Sequence, residues 1–330
     1  MFIHIIAQRI NVLRFYRSVF SVCTNRFPFA DNARSAGLDE VITYSLMDKD
    51  IYDKIKIQEE SNLRNWVNIK NPLTEAFSIM RTSLIPGIIR VMSDNVKRQI
   101  EKVGVFETGR VFFDCGEGER PEEKMKICAG AVNMGEDIWN NDAAEFYHLK
   151  GVIESLFERL NIGEPKFSKG EAPFLHPGRT ATISCNNEQI GILGEIAPDI
   201  IDEFDLSSGA AVFQLDFSFI KRNIGLADVK YVSLTRYPAV KRDLSIVVDR
   251  DILVGDILSV IEKAGGDLLQ DLDLFDRYQG EQIPGNAKSL AFEFVFQAPD
   301  RTLTDDEVND RFDKIVSRLN EKFEAEIRRK

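Results

Sequence analysis

Few residues in this chain are placed for chemistry. FETGR, residues 106–110, sets Glu107 and Arg110 close together, where an acid and a guanidinium could line a pocket. We read them as a structural ion pair on a strand. FLHPGR, residues 174–179, holds His176 in a tight turn ahead of a strand. A catalytic imidazole needs an acid or a thiol to act with, and none stands at motif spacing, so His176 reads as structural. GEGERP, residues 116–121, ends in Arg120, and an arginine closing a glycine-rich run can contact a nucleotide phosphate. A short Gly/Glu run between strands is better read as a turn. Cys23, Cys115, Cys128 and Cys185 form no CxxC pair, and His4, His148 and His176 are equally scattered. A metal site needs clustered thiolates, imidazoles or carboxylates. No phosphate loop, serine elbow or paired-histidine zinc motif is present. The expectation is no catalytic residue, no metal and no cofactor held by this chain.

The totals allow two ordinary domains in 330 residues, with 44% hydrophobic residues to fill their cores. The net charge of −11 argues against bulk affinity for nucleic acid, so any RNA contact needs a local patch. The scattered cysteines read as free thiols in a reducing cytosol, and no stretch spans a membrane. Residues 1–32 stand apart: the first thirty residues hold arginines at 9, 14, 17 and 26 and no acid. A transit signal can look like this. A foreign or truncated start is the reading taken.

The elements that would position a site follow from the pattern. A helix stops at Gly37, and a strand is expected over Val41–Leu46. MRTSLIPGIIRVM, residues 80–92, opens the most helical stretch, with Pro86 in a first turn and Leu84, Ile88 and Val91 on one stripe. KVGVFETGRVFFD reads as a strand pair around Gly109, followed by a strand over MKICAGAV. An amphipathic helix spans FYHLKGVIESLFERL and ends before Gly163. TATISCNNEQIGILGEI is a hairpin turning at Asn186–Asn187, and AAVFQLDFSFI is a further strand. Many strands on short turns with a few helices suggest an antiparallel sheet flanked by helices.

Residues 223–240 read as a linker. Beyond them the order is β-α-β-β-α-β, a ferredoxin-like unit. Thr304 and Glu307 form a capping box. Leu244, Ile246, Leu272, Leu274, Phe292 and Phe294 belong under the helices. The open sheet face is expected to carry Asp243, Ser245, Asp271, Asp273, Phe275, Arg277, Ser289 and Glu293. Acids outnumber bases in this part. The cations Arg236, Lys241, Arg242, Lys288, Arg301 and Arg328 gather at a rim, where they could hold a phosphate backbone.

Taken together, EVITYS (40–45), NPLTEAFSIMRTSLIPGII (71–89), VFETGRVF (105–112), LHPGRTATI (175–183), RYPAVKRDLSIVVD (236–249) and DRTLTDDEV (300–308) make the chain resemble the C-terminal part of the bacterial phenylalanyl-tRNA synthetase beta subunit. The match runs from about Gly37 to Lys330. The fold it implies is α+β: a class II synthetase-like antiparallel sheet with flanking helices over residues 33–225, then a ferredoxin-like anticodon-binding domain over 226–330.

The resemblance implies a noncatalytic subunit of phenylalanine–tRNA ligase. Its partners would be the catalytic alpha subunit, which would hold ATP and Mg, and tRNA(Phe), with no DNA and no membrane, in the cytoplasm. The candidate subunit interface is Pro72, Met80, Arg81, Leu84 and Pro86. The candidate tRNA contacts are Arg236, Lys241, Arg242, Phe275, Arg277, Tyr278, Lys288, Arg301 and Arg328. Phe275 and Tyr278 would stack on unpaired bases. The family's editing site and acidic magnesium ligands lie upstream of the matched region, so neither activity is expected here. The family often has GELHP where this chain has Gly194–Pro198, which reads as a tolerated surface change. A free-standing RNA-binding protein derived from the synthetase is the alternative. An independent acyl-adenylating enzyme is disfavoured, because no arginines are placed to hold ATP.

Overall fold

The chain is seen in a computed structural model that describes residues 27–135, 144–206, 209–224, 235–280 and 283–328. The unmatched N-terminal segment up to residue 26, Cys23 and most of the expected linker lie outside the described residues. Two compact units divide near residues 229 and 230.

The first unit begins with α1 (Phe27–Ser35), β1 (Asp39–Glu40), β2 (Leu46–Met47), α2 (Asp50–Lys54), β3 (Ile79–Met80) and α3 (Ile85–Val96). It continues with β4 (Val103–Phe113), β5 (Glu122–Val132), α4 (Ala144–Leu160), β6 (Lys166–Lys169), β7 (Leu175–Cys185) and β8 (Glu188–Ile196). It closes with α5 (Pro198–Glu203), β9 (Ala211–Asp216) and α6 (Phe217–Asn223). One sheet of seven strands runs β1-β4-β5-β9-β8-β7-β6. Every pairing is antiparallel except the two-residue β1–β4 contact.

Side chains alternate across this sheet, as period two requires. Val105, Cys128 and Val212 face one core, filled from α3 by Ile85, Ile88, Ile89 and Met92. Phe106, Ile127 and Phe213 face the other, filled from α4 by Leu149, Val152, Ile153 and Leu156. Helices therefore cover both faces, and the expected antiparallel sheet with flanking helices is what forms. The Asn186–Asn187 turn has φ of 51° and 63°, the left-handed pair that a two-residue hairpin needs.

Three expectations give way. No strand forms over Val41–Leu46: the segment leaves β1 without regular structure and pairs again only at β2. Gly109 turns nothing, because β4 is one continuous strand. A Cβ at Gly109 would instead collide with the Arg81 guanidinium, so the glycine makes room for that side chain. The FSFI end of the expected last strand is the helix α6, started by Asp216, whose carboxylate accepts the Ser218 N–H at 2.7 Å.

The second unit holds β10 (Val240–Asp249), α7 (Val254–Gly265), β11 (Leu269–Tyr278), β12 (Ala287–Phe296), α8 (Asp305–Phe323) and β13 (Glu326–Arg328). This is the expected βαββαβ order, with sheet order β11-β12-β10-β13. Phe292, Phe294 and Phe296 on β12 are fully buried with Leu244, Ile246, Ile257, Ile261, Ile315 and Leu319. Each buried phenylalanine contributes roughly 2–3 kcal/mol by area removed from water.

The capping box forms as expected: the Glu307 N–H reaches Thr304 Oγ1 at 3.3 Å and the Thr304 N–H reaches Glu307 Oε2 at 3.0 Å. The Thr304 N–H first, and the Arg301 guanidinium second, hold the Glu307 carboxyl down at about 2, from an ordinary value of 4.5. A depressed folded pKa adds stability that is complete above the unfolded value and is lost as pH falls through the folded one. Glu307→Gln should therefore flatten the fall in this domain's melting temperature between about pH 4.5 and 2. An acid limb as steep as the parent's would show that the box carries none of it.

Candidate functional site

Two places could carry function. One is the segment that bridges β1, β2 and α3 in the first unit. Arg81 is buried just ahead of α3, and its Nη1 lies 2.9 Å from Glu107 Oε1 on β4. The same Nη1 donates to Thr43 Oγ1 at 2.7 Å, and Thr43 Oγ1 donates to Glu107 Oε2 at 2.6 Å. Arg81 Nε donates to the Arg110 carbonyl at 2.9 Å. Backbone bonds continue the stitch, from the Phe112 N–H to the Arg81 carbonyl and from the Arg81 N–H to the Ser45 carbonyl. Only 4% of the Arg81 side chain and 2% of the Glu107 side chain are exposed, so this is an enclosed, fully partnered pair.

The pair corrects two expectations. Glu107 does enter an ion pair, but with Arg81, while Arg110 turns outward to Glu123 at 3.4 Å. On an alternating strand, residues three apart point to opposite faces. Arg81, Leu84 and Pro86 are buried inside their own chain and cannot form the outer surface of a subunit interface. Met80 is half-buried and Pro72 is exposed. The exposed surface lies beside them. Thr43 is tied inward, so its neighbours Ile42 and Tyr44 turn outward and are 79% and 60% exposed. Leu73 is 95% exposed, and Phe77 packs edge-on against Tyr44 with ring centroids 5.5 Å apart. Sequence reasoning missed this patch, although alternation along VITYS carried its signal.

Nothing in this unit assembles a reaction centre among the described residues. Cys128 lies beside the buried pair; burial first and Glu107 second push its thiol well up, which leaves it protonated and inert. His176 Nδ1 accepts the Gly178 N–H at 3.0 Å, which holds the turn and supports the structural reading. Gly116 and Gly118 sit at φ of 104° and 87° in an exposed loop, so GEGERP is a turn. The Gly194–Pro198 difference is not a surface change: Glu195, Ile196 and Ala197 are buried, and Glu195 holds Arg179 at 2.7 Å.

The other place is the sheet of the second unit. Its register splits the expected rim into two ends. Lys241 faces Val295, and Lys288 faces Val248 at the far end of the same strand pair. Seven residues at about 3.4 Å each put these ends roughly 24 Å apart. Arg236, Lys241, Arg242 and Arg301 lie toward one end, and Arg277, Tyr278 and Lys288 toward the other. Lys241 is paired with Glu293 at 2.8 Å, Arg242 with Asp305 at 3.5 Å and Arg301 with Glu307 at 2.6 Å. Arg236 is exposed. Arg328, on β13, stands opposite Ser245.

Lys288 is not a rim cation. It is 7% exposed, and its Nζ donates to the Arg250 carbonyl at 3.0 Å and to the Ile252 carbonyl. Burial first and Arg277 second push its ammonium below the usual lysine value. Its work is to clamp the turn after β10. Arg277 also changes sides. A bulge between Leu274 and Asp276 shifts the alternation, so Arg277 stands opposite the buried Leu290, while Asp276 and Tyr278 take the open face opposite Ala291 and Ser289. Phe275 is the extra residue at the bulge and is 49% exposed; Tyr278 is 37% exposed.

The comparisons with known proteins follow this division. The profile of the phenylalanyl tRNA synthetase beta chain CLM domain matches residues 29–217, more than half of the chain. The chain belongs to that family. A ferredoxin-fold anticodon binding domain profile matches residues 235–328, the whole second sheet with its helices. Phenylalanine–tRNA ligase beta subunits are similar along nearly all of the chain. That of Moorella thermoacetica is 41% identical over 299 residues, 90% of this chain and 37% of its own length. That of Clostridium tetani is 39% identical over 295 residues, 89% of this chain and 36% of its own. That of Clostridium acetobutylicum is 36% identical over 296 residues, again 89% and 36%. The chain thus spans a little over a third of the length of these relatives. Among solved structures, a pyrrolysyl-tRNA synthetase from Desulfitobacterium hafniense aligns with a TM-score of 0.48 at 11% identity, over 59% of this chain and 66% of that one.

Proposed function

We propose that this chain is a beta-subunit part of phenylalanyl-tRNA synthetase that scaffolds the catalytic alpha subunit and holds the anticodon region of tRNA(Phe). The observation that carries this reading is the order of two family profiles along one chain, a synthetase beta-chain core followed by an anticodon-binding domain. The buried Arg81–Glu107 pair supports a noncatalytic core, since it spends an arginine and a carboxylate on each other. The ligation of phenylalanine to tRNA, with its ATP and Mg, then belongs to the alpha subunit, and the complex works in the cytoplasm.

The docking surface for the alpha subunit is the apolar patch of Ile42, Tyr44 and Leu73, with Pro72 and Met80 at its border. Ile42 and Tyr44 stand exposed on one segment, Tyr44 packs on Phe77, and Leu73 is exposed four residues before Phe77; exposed apolar surface of this kind marks a protein interface. The tRNA contacts are Arg236, Arg242 and Arg301 on phosphates, with Phe275 and Tyr278 stacking on bases.

The test is co-expression with the catalytic alpha subunit of a close relative. A stable complex in size-exclusion chromatography should form with the parent chain and be lost with Ile42→Asp plus Leu73→Asp. The purified chain alone should show no ATP–pyrophosphate exchange. Exchange by the chain alone would sink the noncatalytic reading, and two separate species would sink the scaffold.

A further inference from the structure

The turn after β10 presents an arginine whose charge its own chain leaves open. Arg250 is exposed, and among the described residues no ion pair or hydrogen bond engages its guanidinium. Its backbone is fixed from both sides: the N–H donates to the Asn286 carbonyl at 2.7 Å, and the carbonyl accepts the buried Lys288 ammonium at 3.0 Å. Arg250 lines a cavity of about 440 Å³ together with Gln279, Gly280, Ile283, Pro284 and Gly285. Apolar walls with a few converging polar groups are the usual form of a ligand cleft. The polar groups here are sorted by kind. The Gly280 carbonyl already accepts the Ile283 N–H at 3.2 Å, and the Pro284 carbonyl accepts the Ala287 N–H at 2.8 Å. Gln279 Oε1 accepts Arg277 Nη2 at 2.8 Å, so the amide's NH₂ is the end left to donate. Acceptors are taken and donors are open, which suits an anion. Arg277 adds positive charge nearby: burial first and Arg277 second lower the Lys288 ammonium, and Arg250 acts in the same sense. Asp249 and Asp251 act against them, but Asp249 Oδ1 is taken by the Asp251 N–H at 2.8 Å, and neither acid is paired with Arg250.

We infer that this cavity holds one RNA phosphate, the one attached to the nucleotide whose base stacks on Tyr278. The inference rests on the anticodon-binding reading and adds to it a phosphate contact, Arg250, at the end of the sheet away from Arg236 and Arg242. Tyr278 stands at the cavity's edge: a Cβ at Gly280 would collide with the Tyr278 Oη, so the glycine lets the phenol reach over the cavity wall. A guanidinium offers a phosphate two parallel N–H donors, and the Gln279 NH₂ adds a third. Lys288 makes no phosphate contact. Its clamp and the Asn286 bond hold the Arg250 backbone, and the Asn286 bond remains when Lys288 is replaced. A base on the tyrosine and its phosphate on the arginine would bind as one unit.

The test is tRNA binding by the full chain, with affinity followed against salt. Arg250→Gln should weaken binding roughly five- to eightfold near ~0.1 M salt and make the slope shallower by about 0.7–0.9, the share of one phosphate. The melting temperature should not move, because the guanidinium supports nothing within the chain. Arg250→Lys should keep the slope, since the charge remains. Lys314→Gln removes one exposed charge from α8 and should leave affinity and slope unchanged. Ethylating the tRNA phosphates before binding should reveal one position where the modification weakens the parent chain and leaves the Arg250→Gln chain unaffected. A slope untouched by Arg250→Gln, while Arg236→Glu with Arg242→Glu still flattens it, would overturn the inference and leave the anticodon reading standing. Equal losses in Arg250→Gln and Lys314→Gln would overturn it too, since binding would then follow net charge only. No tRNA binding by the parent chain would overturn the anticodon reading, and this inference with it.

Discussion

Arg81→Ala should cost the first unit about 3–5 kcal/mol of stability, the toll of leaving one buried charge without its partner. The carboxylate left behind is Glu107, whose side chain is 2% exposed and whose other bond is to Thr43 at 2.6 Å. Water cannot replace the guanidinium there without opening the segment that crosses β4. Trp66 packs against Tyr52 in the first unit, with ring centroids 5.1 Å apart, so its fluorescence in guanidinium chloride reports the unfolding of that unit. Glu107→Ala should cost a similar amount, and the double change to Arg81→Met with Glu107→Leu should recover most of the loss, because an apolar pair of similar volume needs no desolvation. The second unit, which contributes no tryptophan, should melt as before. A loss below about 1 kcal/mol would mean that the pair is solvated and structurally idle. The change should also loosen Thr43, and with it the outward setting of Ile42 and Tyr44. Complex formation with the alpha subunit should then weaken even at temperatures where the unit stays folded.

How much of this could be read from the residues depends on how local the cause was. The βαββαβ order was legible because each of its elements carries its own signal: alternation on β10 and β12, the Thr304–Glu307 box before α8, and Gly265 and Gly266 closing α7. The bulge at Phe275 was not legible. LFDRY alternates as smoothly as any strand, and only the pairing with Leu290 and Ala291 reveals that one residue is extra. A single inserted residue moved Arg277 off the open face and placed Asp276 on it. Lys288 was misplaced for a related reason. A lysine at the head of a strand reads as solvated, yet two carbonyls from the turn after β10 capture its ammonium. Arg81 was likewise assigned outward, because its partner Glu107 lies 26 positions away and no local pattern joins them.

Arg236→Glu combined with Arg242→Glu should weaken tRNA binding by roughly 50- to 100-fold near ~0.1 M salt, and this is the sharper test of the RNA contacts. Each phosphate neutralised contributes about 0.9 to the slope of log affinity against log salt, or roughly eightfold at ~0.1 M. Losing two contacts should make the slope shallower by about 1.5–2, whichever tRNA sequence is used. Arg242 is half-buried and shared with Asp305 at 3.5 Å, a loose pairing that a phosphate can displace. Lys241→Glu should matter less, because Lys241 is already engaged by Glu293 at 2.8 Å. Lys288→Met is the informative control. Its ammonium is spent on two backbone carbonyls, so its loss should destabilise the domain and leave the salt slope unchanged. A slope that falls with Lys288→Met and not with the Arg236–Arg242 pair would move the RNA to the opposite end of the sheet. There Tyr278 and Arg277 would have to hold it without the arginines of the first end, and the contact would be governed by stacking rather than by phosphate charge.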